Sequence, residues 1–406
     1  MLSKKFSLII SKKIKKFNKS IYVDSDKSIS IRSFLISSIS EGISSLDNIL
    51  ESEDVFSTIE CLKKLGIKIK KSKNKKYNVY GKGLGSYLAK PNTTLNFGNS
   101  GTLARLLTGI ISSTPNLTLK LQGDHSLNKR NMMSLIKLLE NFGAEFKPKN
   151  KFYFPLKITS SNFPIGIKYK AGTSAQLKSS AIFAGLNSYG LTEILEQNIS
   201  REHTENMLKN NTKVIKITNN KIKKIQISGK KYLKNFNIKV PGDPSSAAFF
   251  TAITLLNKGS HLIIKNVGLD SKRIGFYDLL KKSGGKIKFK NLRKINNELV
   301  GDIQIKSSKL RPIIASKKYY LNATDEYPIL FSIAALIKGK SFFSGISGLR
   351  NKESDRIKEM QKILSQIEVK SNFKNDKLTI FGSTLKNYLK KVINVSNLGD
   401  HRICMS

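Results

Sequence analysis

The stretch SDKSISIRSFLISSISEG, residues 25–42, sets a lysine, several serines and an arginine at the mouth of an apolar run that closes on Glu-Gly. Alone, it reads equally well as a Ser-capped buried helix with Lys27 and Arg32 solvated at its start, or as a polar site built on a helix opening. Five further segments share its design: NSGTLARLLTGIISS, TSAQLKSSAIFAGLNSYG, PSSAAFFTAITLLNKG, TDEYPILFSIAALIKGK and GDHRICMS. Anchored on Ser28, Ser100, Ser174, Ser245, Asp325 and Asp400, their separations are 72, 74, 71, 80 and 75 residues. A period this even marks a structural repeat.

Between the openings lie amphipathic segments that end in a turn and a β-branched run, such as DVFSTIECLKKLGIKIKK, RNMMSLIKLLENFGAEFKPK, RIGFYDLLKKSGGKIKFK and DRIKEMQKILSQIEVKSNF. Their three- and four-residue apolar spacing predicts a helix, and the alternation after the break predicts a strand. Each unit therefore reads as buried helix, strand, amphipathic helix, strand. A helix apolar all round has to be enclosed by protein. Three units wrapped around each of two domains, buried helices inside and sheets outside, satisfy that requirement. The helix starts could then converge and offer backbone N–H groups and positive dipole ends to an anion. The sixth unit reaches only Ser406; because a half-built unit would leave its neighbours' apolar faces open, the expectation is a truncated or incompletely sequenced chain, or one completed by another element, with a naturally shortened sixth unit as the plainer alternative.

Composition sets bounds on function. The 406 residues, 39% hydrophobic and 25% charged, suit a folded protein of two or three domains. No apolar run is long enough to span a bilayer, so no membrane is expected as a partner. The opening MLSKKFSLIISKKIKKF has too short an apolar centre for a signal peptide and reads as a strand of a cytoplasmic protein. Cys61 and Cys404 have no metal-type spacing, and neither a metal nor a disulfide framework is indicated. The net charge of +44 invites a nucleic-acid reading. Its lysines, however, are spread through every segment without interleaved aromatics, which fits a Lys- and Asn-rich codon bias better. Arg32, Arg105, Arg130, Arg201, Arg350, Arg356 and Arg402 instead fall in the polar motifs, where forked recognition of a small anion calls for Arg.

Nine blocks in order, DKSISIR, GNSGTLARLLTG, GDHSLNKRNM, SAQLKSSAIFAGL, SREHTE, VPGDPSSAAFF, DEYPI, LRNKESDRI and DHRICMS, make the chain resemble the EPSP synthase (3-phosphoshikimate 1-carboxyvinyltransferase) family from about Lys27 to its last residue. The resemblance implies an α/β fold, a two-domain inside-out α/β barrel with three βαβαββ units per domain. It implies one domain over residues 23–239, carrying most contacts to shikimate 3-phosphate, and another over 1–22 plus 240–406. The implied reaction moves the enolpyruvyl group of phosphoenolpyruvate to the 5-hydroxyl of shikimate 3-phosphate by addition and elimination of phosphate. Neither cofactor nor nucleic acid is implied, and the expected state is a monomer.

Residue by residue, the resemblance places Lys27, Ser28, Arg32, Ser174, Ala175, Gln176, Arg201, Asp325 and Lys352 at shikimate 3-phosphate. It places Lys27, Asn99, Gly101, Arg130, Gln176, Arg356, His401 and Arg402 at phosphoenolpyruvate. Asp325 is the implied base, Glu353 the methylene proton donor and Lys27 a shuttle or charge stabiliser. Two positioned carboxylates among cations suffice for this chemistry. Gly101 would leave room for glyphosate as a competitor of phosphoenolpyruvate. Asp325 capping a helix, Glu353 with Arg356 as a surface i,i+3 pair, and Arg105 as a packing residue are the plainer alternatives. His125 and His203 read as supporting or capping groups.

The chain departs from the family pattern at VDSDK, where Pro-Gly is usual before the lysine, at Ile31 and at Asn131. A further lysine expected at the phosphoenolpyruvate site would lie beyond Ser406. Two rivals are a UDP-N-acetylglucosamine enolpyruvyl transferase, opposed by Ser28 after Lys27 and by the placing of both cysteines, and a non-catalytic phosphate- or RNA-binding repeat protein.

Overall fold

The computed structural model describes residues 14–383, 393–395 and 399–406. The strand expected over the opening residues falls mostly outside them. Strand β1 (Asn18–Tyr22) leads into α1 (Lys27–Ile39), β2 (Glu41–Asp47), α2 (Glu53–Lys64), β3 (Lys68–Lys73) and β4 (Lys76–Lys82). The second unit runs β5 (Thr94–Asn96), α3 (Gly101–Ser112), β6 (Thr118–Gln122), α4 (His125–Asn128), α5 (Met133–Glu140), β7 (Glu145–Lys147) and β8 (Leu156–Thr159). The third runs β9 (Lys168–Ala171), α6 (Ala175–Leu186), β10 (Leu191–Glu196), α7 (His203–Leu208), β11 (Ile215–Asn219) and β12 (Lys223–Ser228), followed by β13 (Asn237–Lys239).

The fourth unit contains α8 (Pro244–Leu256), β14 (His261–Gly268), α9 (Gly275–Lys282), β15 (Lys286–Ile295) and β16 (Glu298–Lys306). The fifth contains β17 (Ile314–Ala315), α10 (Tyr320–Ala323), α11 (Tyr327–Ala335), β18 (Gly339–Ser344), α12 (Arg356–Gln366), β19 (Ser371–Lys374) and β20 (Lys377–Gly382). Only α13 (His401–Cys404) is described of the sixth.

Each complete unit makes one four-stranded sheet of the same design. In the second, the order is β5-β6-β8-β7, with β5 and β6 parallel and the other pairs antiparallel. The sheets of β9–β12 and β17–β20 repeat it. The first and fourth units take their leading strand from elsewhere in the chain: β13 pairs with β2, and β1 pairs with β14. The chain thus crosses twice between two hydrophobic cores. One includes side chains from Ile29 to Val240, the other from Ala247 to Ile403, with Ile21 and Val23 packed against the second.

Helices α1, α3, α6 and α11 are buried on nearly every side, and most of the polar residues set among their apolar ones are small serines and threonines. Gly109 lets α3 approach α6: a Cβ there would lie 2.7 Å from the Ser180 carbonyl oxygen. A second glycine device repeats with the unit. Gly81, Gly229 and Gly382 each close the last strand of a sheet, and a Cβ at any of them would collide with the final carbonyls of α1, α6 or α11 respectively. The backbone that follows satisfies those carbonyls, as Gly83 N does for Ser40 and Ser383 N for Ala335. Helix α8 differs, since Phe250, Ile253 and Leu256 on it are exposed. Among the described residues no helix is long and apolar enough to cross a membrane.

Candidate active site

The openings of the three inner helices of the first core converge on one cleft. Asp26 caps α1, accepting from Ile29 N at 2.9 Å; Ser100 caps α3, accepting from Leu103 N at 3.2 Å; Ser174 caps α6, accepting from Leu177 N at 3.3 Å. The residues around these caps face a cavity of about 290 Å³. Lys27, Asn99, Gly101, Arg130, Ser174, Gln176, Lys352 and Glu353 line it together. The lining therefore takes residues from both cores.

Most of the remaining expected residues join the cavity through an ion network. Arg356 donates from Nη2 to Glu353 Oε2 at 2.8 Å and from Nε to Asp400 Oδ2 at 2.9 Å. Its Nη1 lies 3.7 Å from Asp325 Oδ1 and has no hydrogen-bond partner among the described residues. Asp325 Oδ2 in turn lies 2.8 Å from Arg201 Nη2. Across the cleft, Arg130 Nη1 is 3.6 Å from Glu353 Oε1, and its Nη2 donates to Asn99 Oδ1. Asp400 caps α13 by accepting from Arg402 N at 3.1 Å, which sets Arg402 beside the same network.

Arg32 sits behind the cavity wall. Its guanidinium donates to Thr204 Oγ1 at 2.9 Å, Ser28 O at 3.0 Å and Ser179 Oγ at 3.3 Å. Burial pulls it down to about 10, against the pull of Asp26. Ala175 is the first residue of α6, next to its cap.

The electrostatics follow from crowding cations around few carboxylates. Burial pushes the Asp325 carboxyl up, but Arg201, Arg402, Lys352 and Arg356 outweigh it and hold the group well below its ordinary range. Glu353 is held at about 2: burial raises it, and Arg356 and Arg130 more than reverse this. Burial lowers Lys352, with Asp325 opposing. Desolvation, then Arg402 and Lys27, bring His401 down to about 4 although its side chain reaches solvent. Both carboxylates are thus ionised near neutral pH, and the cleft carries excess positive charge.

The plainer alternatives fare unevenly. Helix α11 has Glu326 before it without a side-chain cap bond, so Asp325 is not a capping residue. Glu353 and Arg356 do form an i,i+3 pair, but Arg356 is 2% exposed and the pair faces the cleft. Arg105, read from sequence as packing, lines the cavity; it donates to Gly101 O at 3.1 Å and Gln176 Oε1 at 3.0 Å and has no carboxylate partner among the described residues. Burial, with Arg130 beside it, lowers it to about 10. Asp54, paired with Lys27 Nζ at 3.0 Å, is a second lining residue that sequence reasoning missed. Arg105 lay within a quoted motif; Asp54 had no signal beyond its place in the first turn of α2.

His203 reaches Glu298 through Nδ1 at 2.9 Å and Arg273 through Nε2 at 3.4 Å. Its ligand atoms and those of Asp270 and Glu298 lie within 4.8 Å of one another. A cation there would face the Arg273 guanidinium.

Repeated βαβαββ sheets around enclosed helices, with an arginine-and-carboxylate cleft between two cores, define a transferase of the inside-out α/β type. The EPSP synthase family, described as EPSP synthase (3-phosphoshikimate 1-carboxyvinyltransferase), matches residues 11–406. The 3-phosphoshikimate 1-carboxyvinyltransferase of Zymomonas mobilis is 38% identical over 402 residues, which cover 98% of this chain and 88% of that protein. The one from Caldicellulosiruptor saccharolyticus is 39% identical, covering 97% and 89%. Among solved structures, EPSP synthase from Acinetobacter baumannii superposes with a TM-score of 0.81 at 34% identity, covering 96% of this chain and 88% of that one. The enolpyruvyl transferase NikO from Streptomyces tendae, at 12% identity and a TM-score of 0.70, shares the fold. The chain belongs to the EPSP synthase family.

Proposed function

We propose that this cleft joins phosphoenolpyruvate to the 5-hydroxyl of shikimate 3-phosphate and releases phosphate, the shikimate-pathway step after which the family is named. The observation that carries the residue-level reading is Asp325, ionised and suspended between Arg201 and Arg356 at the meeting of the two cores. A carboxylate held ionised by cations accepts a proton once a substrate anion takes those cations over. Asp325 takes the proton of the 5-hydroxyl as its oxygen bonds to C2 of phosphoenolpyruvate. Glu353 supplies the proton that turns the methylene into a methyl group. The tetrahedral intermediate then collapses, returning a methyl proton to the protein and expelling phosphate.

Glu353 at about 2 cannot donate in the ligand-free state. Phosphoenolpyruvate resolves this. Its carboxylate and phosphate draw Arg130 and Arg356 away from Glu353, and the carboxyl rises toward a donor's range. Arg402 and the Nη1 of Arg356, which has no hydrogen-bond partner among the described residues, supply further donors to the same ligand. Lys27, Asn99, Gly101, Gln176 and His401 border it. Ser28, Ser174, Ala175, Gln176, Arg201 and Lys352 hold shikimate 3-phosphate, with Arg32 backing Ser28.

The domains are assigned as 23–239, holding most of the shikimate 3-phosphate contacts, and 1–22 plus 240–406. A cytoplasmic monomer acting on small molecules, without nucleic acid, completes the reading. Mixing the protein with both substrates and measuring released phosphate tests it. No release at millimolar substrate from protein that binds shikimate 3-phosphate would remove the catalytic assignment.

A further inference from the structure

Behind Arg201 lies a cluster of charges to which the reaction gives no part. Lys178 on α6 is fully buried, with Nζ 3.0 Å from Glu196 Oε1 and 2.7 Å from Glu205 Oε1. Lys223, at the start of β12, is also buried; its Nζ lies 3.3 Å from Glu205 Oε1 and 3.6 Å from Glu196 Oε2, and it pairs with Glu202. Buried ion pairs contribute little net stability compared with apolar packing of the same volume. Their retention in a core calls for another reason.

The reason is visible in the chain that joins β10 to α7. Glu196 Oε1 accepts from Ser200 N at 2.8 Å and from Ser200 Oγ at 2.6 Å, which fixes the residue before Arg201. Glu202, the residue after it, is held by Lys223. Thr204 donates to Ser179 Oγ at 2.8 Å, and Glu205 is tied to both lysines. Arg201 alone in this run sends its side chain to Asp325.

We infer that Glu196, through Ser200, and Lys223, through Glu202, are positioning residues that clamp the peptide on both sides of Arg201 and so aim its guanidinium into the cleft, Lys178 and Glu205 completing their charge balance. The inference rests on the proposed reading only where shikimate 3-phosphate is used as the probe. A cation on a long side chain loses rotamer freedom when it binds, and a backbone fixed in advance reduces what must be ordered at that moment.

The test compares two double variants of similar volume. Lys178→Met with Glu196→Gln removes the ion pair but keeps an amide oxygen for Ser200. Lys178→Met with Glu196→Leu removes the Ser200 clamp as well. Calorimetric affinity for shikimate 3-phosphate and the 15N order parameter of the Arg201 Nε–H group in ligand-free protein are read for each. The Leu variant is expected to bind at least tenfold more weakly and to show a more mobile Arg201, with the Gln variant within threefold of the unaltered protein. Should the Leu variant fail to fold, Glu202→Ala, at a partly exposed position, frees the residue after Arg201 and is expected to weaken binding about tenfold and to raise the mobility of Arg201. Unchanged Arg201 order in the folded variant overturns the inference, as does unchanged affinity. If the unaltered protein does not bind shikimate 3-phosphate, the substrate reading falls, and the order parameter alone decides the positioning role.

Discussion

Arg201 Nη2 and Asp325 Oδ2 stand 2.8 Å apart, joining a segment that packs with the first core to one that packs with the second. Removing the carboxylate therefore separates chemistry from binding. Asp325→Ala should lower turnover on the order of 10²-fold or more, as loss of a general base does. Affinity for shikimate 3-phosphate should stay within about tenfold, because Arg201 remains. Steady-state kinetics beside calorimetry read the two effects, and equal losses in both would remove Asp325 from the role of base.

Acid stability should report the Glu353 network. Its carboxyl is lowered from 4.5 to about 2 because Arg356 and Arg130 overcome burial. A folded value below the unfolded one means that the stabilisation is complete above the unfolded value and disappears as pH falls through the folded value. Urea midpoints of the unaltered protein should thus drop between pH 4.5 and 2. Glu353→Gln cannot titrate there and should give a shallower drop, the two curves converging at the acid end. Parallel curves would contradict the pairing.

Arg130 tests forked recognition. One of its terminal nitrogens faces Glu353 while the other donates to Asn99. Lysine keeps the charge but offers one point donor in place of a planar fork. Arg130→Lys should raise the KM for phosphoenolpyruvate about tenfold and leave shikimate 3-phosphate affinity nearly unchanged. Kinetics like those of the unaltered enzyme would take Arg130 out of the phosphoenolpyruvate site.

Gly101 is crowded by cations and not by backbone. A Cβ on it would lie 2.8 Å from Arg105 Nη1 and 2.9 Å from Arg130 Nη1. Both guanidinium ends must shift to admit it. Gly101→Ala should therefore weaken phosphoenolpyruvate use severalfold and weaken competition by glyphosate more, since the longer ligand needs the same space. Inhibition curves at several phosphoenolpyruvate concentrations measure this; an unchanged glyphosate response would mean that Gly101 does not border the ligand.

Arg273 carries a stability prediction. It is 3% exposed and lies 3.0 Å from Asp26, the cap of α1, and 3.0 Å from Asp243, the cap of α8. Arg273→Ala would leave both aspartates buried without their cation, at a loss of about 3–5 kcal/mol. Chemical denaturation should show that drop, whereas a surface arginine such as Arg350 should change little on removal.

The repeat was legible because enclosed helices force a composition that recurs, and the polar openings stood out against it. Lys27, Asn99, Gly101, Arg130, Ser174 and Gln176 could be placed in one cleft from that pattern together with family likeness. Partnerships across the two cores could not. Nothing in the spacing announces that Arg273 spans the caps of α1 and α8, or that Arg105 turns toward Gln176. Such contacts depend on how two independently patterned halves meet. Gly81, Gly229 and Gly382 were missed for a related reason: single glycines at the end of a strand carry no visible period until the helix carbonyls they approach are known.

The exchange of leading strands has a consequence for synthesis. β1 is the first of these strands to leave the ribosome, yet its partner β14 begins only at His261. At about 5–20 residues per second, some 240 further residues take roughly 12–50 s. Through that interval the nascent strand offers an unpaired edge to any neighbouring polypeptide. β13, meanwhile, arrives just in time to close the sheet of β2, so the first core can be finished on the ribosome while β1 still waits for the second.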